Sequence, residues 1–285
     1  MRVGLIHNGE AGSATGEHEL VAMLRRHGHT VGAVVTMTEG LAALPLTAID
    51  LVAAAGGDGT VGAIAASVRD PRLPIAVLPI GTANNIATSL GIAVDLDEAI
   101  ATWATSRMQP LDIGVATGPW GERRFVESVG GGLVTHGIAV MDRQPWHAEA
   151  RPDVRLGRAR GCHADLLDEI ALVDWAVEID GAAHVLPLLL FEALNTGLIG
   201  PNLALADASP FDGRLTVVAA YAEHREALQT WLRQDPRTRP PALPTWQARE
   251  ITITRADRLH VDDTVVDSGD VRLCVDTGAV GVLVP

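Results

Sequence analysis

Over the first 115 residues or so, short apolar runs take turns with stretches of helical periodicity, and this alternation restricts the fold more than any other feature. Val3–Ile6, Thr30–Val35, Ile49–Ala55 and Ile75–Leu78 read as strands bounded by polar or glycine-rich loops. Between them, Leu20, Leu24 and His27 share one face of a helix that starts near Glu17 and stops at Gly28. Val61, Ile64, Ala65 and Val68 again recur at helical spacing. A short helix over Asn84–Leu90, ended by Gly91, and another over Asp97–Arg107 complete the series. Strands separated by helices need crossover connections, which predicts a mostly parallel sheet with helices on its faces.

From about Leu111 the texture changes. "FVESVGG", "WAVEID", "GAAHVLPLLLFEALN", "GRLTVVAAYA", "REITITRADRLHVDD" and "VRLCVD" read as strands with turn signals between them. Asp180-Gly181 is a hairpin turn, and helices are predicted near Leu156–Leu167 and Arg225–Arg233. The predicted fold class is therefore α/β plus all-β. An N-terminal parallel-sheet domain occupies residues 1–115 and an antiparallel β domain residues 116–285.

A chain that is 47% hydrophobic and 4% aromatic, rich in Ala, Val, Leu and Gly, suits close-packed α/β elements rather than disorder. Its net charge of −13 repels nucleic acid, so no nucleic-acid partner is expected, and any anionic ligand must meet a local patch or a metal ion. Cys162 and Cys274 lie far apart without a CxxC pair, which argues against a disulfide framework or zinc site and makes a reducing cytoplasm the default. "MRVGLIHNGE" is too polar for a signal peptide, and the apolar run Val185–Phe191 is far too short to span a bilayer. Transient contact with the inner membrane face is compatible with "WLRQDPRTRPP", where Arg233, Arg237 and Arg239 form either a solvated loop or a small basic patch. Monomer and homodimer are both left open.

In open parallel sheets, ligands sit beyond the carboxyl ends of the strands. Three loops leave such ends here: "HNGEAGSATG", "GGDGT" and "PIGTANN". All three are rich in Gly, Ser, Thr and Asn, and a glycine loop entering a helix offers bare N–H groups to phosphate. One such loop is only a tight turn, but three on one sheet edge predict a nucleotide site. Asp58 then poses a problem, since it places a negative charge in an anion cradle. It can hold Mg²⁺, directly or through water, or accept a hydrogen bond from an attacking hydroxyl as general base. The plainer alternative is a carboxylate bonded to a nearby backbone N–H. Gly130–Gly132 permits close approach of backbone to a ligand or another domain, or else marks a bend. His136 and His147 have no partner at metal-ligand spacing and read as solvated or hydrogen-bonded.

"GGDGT" (Gly56–Thr60), followed about twenty residues later by "LPIGTANNIA" (Leu78–Ala87), resembles the signature of the diacylglycerol kinase catalytic-domain family, whose relatives include sphingosine and ceramide kinases and bacterial soluble lipid kinases. "DIG" at Asp112–Gly114, "ALNTG" at Ala193–Gly197, "PFDGRLTVV" at Pro210–Val218 and the closing "VGVLVP" are similar to later family segments. The resemblance implies a two-domain kinase that uses ATP and Mg²⁺ to phosphorylate a lipid or lipid-like hydroxyl, the second domain being a β-sandwich with a lipid pocket. It implies a nucleotide site at Asn8, Gly56, Gly57, Asp58, Gly59, Thr60, Gly81, Thr82 and Asn84, and a metal-linked role for Asp58 and for Asp212, which otherwise reads as a turn residue.

Four departures stand out. Asn8-Gly9, with Gly12-Ser13 after it, replaces the family's Asn-Pro and later Ser-Gly, and Asn85 stands where an Asp is common. "LIGPNLALADAS" follows Asn195 in place of a double glycine. Where the family carries Asp-Gly-Glu, whose acid acts on the substrate hydroxyl, this chain reads "HVDDT", with Thr264 in the acid's place. The catalytic candidates are accordingly Asp58 together with Asp262 or Asp263. Adjacent carboxylates on a strand point to opposite faces, so at most one of that pair faces the site. A nucleotide-binding pseudokinase, and a kinase of the same superfamily acting on a non-lipid acceptor, are the alternatives.

Overall fold

The four apolar runs of the N-terminal half form one parallel sheet in a computed structural model that describes residues 1–12, 15–141, 143 and 151–285. Ser13 and His147 lie outside the described residues. The chain divides into two units, Met1–Ile113 with Thr277–Pro285, and Gly114–Asp276. The first contains β1 (Arg2–His7), α1 (Glu17–Arg26), β2 (Thr30–Thr36), β3 (Leu51–Gly56), α2 (Asp58–Ser67), β4 (Ile75–Pro79), α3 (Asn85–Ser89), α4 (Leu96–Thr102) and the start of β5 (Arg107–Gly118). Strand order is β2-β1-β3-β4, every pair parallel. β3 and β4 are buried at every position, which is why they read as unbroken apolar runs rather than alternating ones. Leu20 and Leu24 of α1 and Ile100 of α4 pack with Val3, Leu5, Leu51 and Ala53 on the sheet.

Two expectations change in this unit. The helix predicted over Asp97–Arg107 ends at Thr102, because the Thr105 and Ser106 hydroxyls turn back onto the Thr102 carbonyl and Arg107 already opens β5. The Asp95 side chain caps its start by accepting from the Glu98 N–H. The division expected at residue 115 falls at 113/114, and Thr277–Pro285 belongs to the first unit rather than the second. There Val282 pairs in parallel with Ile75, and the Gly278 N–H donates to Asp112 at 2.8 Å. The edge of β4 is filled by the end of the chain.

The second unit holds β6 (Gly121–Phe125), β7 (Ser128–Gly132), α5 (Leu133–Met141), α6 (Pro152–Glu169), β8 (Val173–Ile179), β9 (Ala182–Leu188), β10 (Leu190–Leu194), β11 (Leu215–Ala220), α7 (Arg225–Leu232), β12 (Thr245–Ala248), β13 (Glu250–Val261) and most of β14 (Thr264–Val284). The long strand β13 serves two layers. Its residues Ile251–Thr254 pair with β8, and His260 and Val261 pair with β7, while β14 runs antiparallel along it. On one side β9 follows β8; on the other β10, β11 and β12 follow β7, all antiparallel. Trp175 of β8 meets Phe191 of β10 at a ring-centroid distance of 5.8 Å within the core between the layers.

Alternation along β10 and β11 decides what lies on each side. Phe191, Ala193 and Val217 join the core between the layers, whereas Leu190, Leu194, Val218 and Ala220 pack with Leu133, Leu167 and Leu228 of the three helices. α6 and α7 lie where the periodicity placed helices; α5 was not foreseen. Its Gly137 weakens the helical signal, and the reason for the glycine is tertiary: a Cβ there would overlap the His163 ring.

Candidate active site

In the first unit, the loops after β3 and β4 touch backbone to backbone. A Cβ on Gly57 would come within 3.2 Å of the Gly81 Cα, and one on Gly81 would overlap Gly57 and approach Asn84 Oδ1 to 2.8 Å. Gly56 is equally constrained, since the Thr60 side chain occupies the space a Cβ would need. The Gly81 N–H donates to Asn84 Oδ1 at 2.9 Å and the Asn84 amide donates back to the Gly81 carbonyl at 3.1 Å, a closed ring possible because Asn84 adopts φ 52°. The loop after β1 joins the pair. Asn8 donates from its amide to Thr60 Oγ1 at 2.9 Å, while its own N–H binds the Ala55 carbonyl.

Asp58 ties the second and third elements together. It opens α2, and its Oδ1 accepts the Ile86 N–H of α3 at 2.9 Å. Burial raises its pKa from the ordinary carboxylate range, against the pull of N–H groups of Ile86, Asn85 and Asn84. The backbone-bonded alternative for Asp58 is thus realised across 28 residues of sequence rather than within its own turn. Asn8, Gly56, Gly57, Asp58, Thr60, Gly81 and Asn84 stand together as one constellation, with Gly59 exposed and Thr82 half-buried on the same loops. Asn85, in the place of a common Asp, is buried. Reading the sequence missed His7, the last residue of β1, whose Nε2 is buried without a hydrogen-bond partner among the described residues. Its position at a strand's carboxyl end was the available signal.

In the second unit three segments meet. Asp262, in the turn between β13 and β14 at φ 49°, accepts the N–H groups of Val126, Glu127 and Ser128 at 3.1, 2.8 and 3.2 Å. From "ALNTG", the Asn195 amide donates to the Val126 carbonyl at 2.9 Å, and the Asn195 N–H donates to the Glu127 carbonyl at 2.8 Å. Asp263 is exposed and accepts the Thr264 hydroxyl at 3.1 Å; the two carboxylates lie in the turn between β13 and β14 rather than on a strand, so the strand alternation expected for them does not apply. Asp212 is exposed, and its Oδ1 accepts the Arg214 N–H at 3.0 Å. That is the turn reading. Among the described residues, no three His, Cys, Asp or Glu side chains are grouped to hold a metal ion.

Burial outweighs the three N–H donors at Asp262 and pushes its pKa up to about 6. The folded chain therefore holds this proton to higher pH than the unfolded one. The associated stability is full below about pH 4 and disappears as pH rises through about 6, a change on the order of 3 kcal/mol. Urea unfolding of wild type and Asp262→Asn across pH 4–8 is expected to show a larger fall in the wild type, since the variant keeps the raised Asp58 but loses the Asp262 contribution. Parallel pH profiles would refute the assignment.

The glycine run Gly130–Gly132 serves side chains of its own unit. Glu192, Gly130 and His260 lie in one row across β10, β7 and β13, and the bare Gly130 lets the Glu192 carboxylate reach over it to His260 Nε2 at 3.3 Å. Thr135 of α5 contacts His260 Nδ1 at 2.8 Å. Gly131 makes room for the Trp175 indole, and Gly132 adopts φ 77°.

Residues 2–116 match the family model of the diacylglycerol kinase catalytic domain. Over 250 residues the chain is 31% identical to a protein of Escherichia coli strain SMS-3-5 called "Probable lipid kinase YegS", covering 73% of this chain and 83% of that one. The chain belongs to the diacylglycerol kinase catalytic-domain family. Another member, "Probable lipid kinase YegS-like" of Klebsiella pneumoniae strain 342, is 34% identical over 164 residues, which are 48% of this chain and 55% of the relative. The matched stretch thus spans about half the length of that curated relative. Among solved structures, a diacylglycerol kinase from Bacillus anthracis str. Sterne superposes with a TM-score of 0.71 at 16% identity, covering 100% of this chain and 97% of that one. A further structure from the same organism reaches 0.76 at 18%. These likenesses show that the family's α/β and antiparallel β architecture is shared. Among the described residues no helix is long and apolar enough to cross a membrane.

Proposed function

We propose that the chain is a lipid kinase that transfers the γ-phosphoryl group of ATP, with Mg²⁺, to a hydroxyl of a diacylglycerol-type or sphingoid-type acceptor. The observation that carries this reading is the locked constellation of the first unit: Gly57 against Gly81, with Asp58 spanning from α2 to the Ile86 N–H. Phosphoryl transfer is mostly positioning and charge neutralisation, and a rigid loop pair at strand ends suits that work. The N–H groups opening α2 would bind phosphate oxygens, and the Asn8–Thr60 bond would hold the first loop to them.

Magnesium is usually held by one or two carboxylates together with phosphates and water, so the single carboxylate of Asp58 fits such an ion. When bound, the ion would neutralise charge on the phosphates. Asp212 is committed to its own turn and is not needed for this. The same reading puts the chain in the cytoplasm, meeting its acceptor at the inner membrane face. Arg233 pairs with Asp165 at 2.9 Å, so only Arg237 and Arg239 of the basic loop have no ion pair to a described acid.

A second reading, a nucleotide-binding protein without turnover, is favoured by one observation: Thr264 stands in the acid's place while Asp262 spends its carboxylate on three N–H groups. Incubation with Mg·[γ-³²P]ATP and a panel of dioctanoylglycerol, sphingosine and a short-chain ceramide separates the two. Labelled lipid, lost at least about 100-fold in Asp58→Asn, is the expected result. ATP binding without any labelled lipid would establish the second reading, and absence of both would refute each.

A further inference from the structure

Two glycines interrupt α6 without a reason in its packing. Gly157 and Gly161 stand four residues apart and so share one face of the helix Pro152–Glu169. Glycine is a poor helix former, and a helix tolerates one best where a neighbour leaves no room for a Cβ, as His163 does at Gly137. At Gly157 and Gly161, nothing beyond the adjoining turns of the helix lies within 4 Å of where a Cβ would stand. Both instead line a cavity of about 410 Å³ between α6 and the chain leaving α7. Leu156, Leu232 and Pro236 are its apolar walls, and Arg160 is part of its lining too.

Arg160 is 1% exposed, and among the described residues no acid lies close enough to form an ion pair with it. Its Nη1 and Nη2 donate to the carbonyls of Asn202 and Trp231 at 3.4 and 3.1 Å, and its Nε has no hydrogen-bond partner. The guanidinium carbon lies 4.7 Å from the centroid of the Trp231 ring. Asp235 attracts the charge only from beyond ion-pair distance. A buried guanidinium is costly unless a negative group compensates it, and two carbonyls and a ring do so only in part. The other charged residues of the lining, Asp153 and Arg233, are paired with Arg151 and Asp165. The charge left uncompensated is positive.

We propose that this cavity binds an organic anion with a narrow apolar body, an alkyl carboxylate or alkyl phosphate, its head group on Arg160 and its chain along the bare Gly157–Gly161 face. A planar guanidinium matches the oxygens of either head group. The missing Cβ atoms leave a groove on α6, and Leu156, Leu232 and Pro236 supply the apolar contact that an alkyl chain needs. The cavity falls within the size range of small-molecule sites. Every residue of the site belongs to the second unit, and binding there requires neither ATP nor the kinase reading.

Titration calorimetry of the full chain tests this with sodium octanoate and octyl phosphate, 1-octanol serving as the neutral chain and inorganic phosphate as the bare head group. Saturable binding of at least one of the two anions is expected, at least about tenfold tighter than either control. The tighter anion identifies the head group. Gly157→Leu places a side chain in the groove from an exposed helix position. It is expected to weaken binding at least about tenfold while Tm stays at or above that of the wild type. Arg160→Met removes the charge and keeps an apolar stem, so the preference for the anion over octanol should disappear. Where Arg160→Met does not fold, Gly157→Leu decides. Binding of neither anion overturns the proposal, as does octanol binding as tightly as the anions or wild-type affinity in Gly157→Leu. A fall in Tm in Gly157→Leu also overturns it, by showing that packing and not a ligand needs the glycine. None of these results bears on the kinase reading, which its own labelling assay tests.

Discussion

Replacing His260 by leucine is expected to destabilise the chain by about 3–5 kcal/mol, read as a fall in the urea midpoint at constant slope. Glu192 is 0% exposed and His260 1% exposed, so neither has access to water. Their contact is 3.3 Å, and among the described residues neither Glu192 oxygen has a hydrogen-bond partner. Without His260 the Glu192 carboxyl stays buried and loses its 3.3 Å contact, and the Thr135 hydroxyl loses its 2.8 Å contact as well. Glu192→Gln keeps a polar group of nearly the same shape facing His260, so its cost should be smaller. The double replacement, Glu192→Leu with His260→Leu, should recover much of the loss, because an apolar pair of similar volume needs no partner. Additive single effects would show that the two residues are not coupled. Gly130 belongs to the same unit of energy, since a side chain there would displace the carboxylate from its row.

Gly81→Ala is the second large effect, this time on the nucleotide. Its new Cβ would overlap the Gly57 backbone, which cannot swing aside as a flexible side chain can. The loops after β3 and β4 must then separate, opening the Gly81–Asn84 hydrogen-bonded ring and loosening Asp58 from Ile86. A loss of about 1–3 kcal/mol in stability and at least about tenfold in ATP affinity is expected, measured by thermal melting and titration calorimetry. Gly57→Ala gives the graded control. Its Cβ would meet Gly81 Cα at 3.2 Å, a contact that a shift of a few tenths of an ångström relieves, so its effect should be smaller on both readouts. Wild-type ATP affinity in Gly81→Ala would remove these loops from the nucleotide site.

Much of this was legible without coordinates, and the pattern of what was legible follows from range. β1 to β4, α1 and α2 announced themselves through periodicity and glycine stops, which act within a few residues. The loops bearing Asn8, Gly56–Thr60 and Gly81–Asn84 were placed by the same local signals, since in a parallel sheet each loop after a strand must leave from the same edge. The residue-level roles in the second unit were harder. Gly130–Gly132 could be read as a bend or a ligand approach. Its actual causes are the Glu192 carboxylate, the Trp175 ring and one left-handed backbone position. Asp262 read as a candidate base, yet its carboxylate is bound to three backbone N–H groups, the farthest in sequence 136 residues away. Nothing local distinguishes a carboxylate that will meet a substrate from one that will clamp a loop.

The sequence by itself determined the parallel α/β half, the antiparallel half, and the edge at which three glycine-rich loops gather, because strand period, helix period and glycine's backbone freedom are properties of neighbouring residues. Only the tertiary structure decided which partner each acid would take. Asp58 finds the Ile86 N–H 28 residues on, Asp112 the Gly278 N–H 166 residues on, and Asp262 the N–H groups of Val126, Glu127 and Ser128. A carboxylate's chemistry is set by the donors and burial around it, and those are supplied by chain segments that meet only when the fold closes.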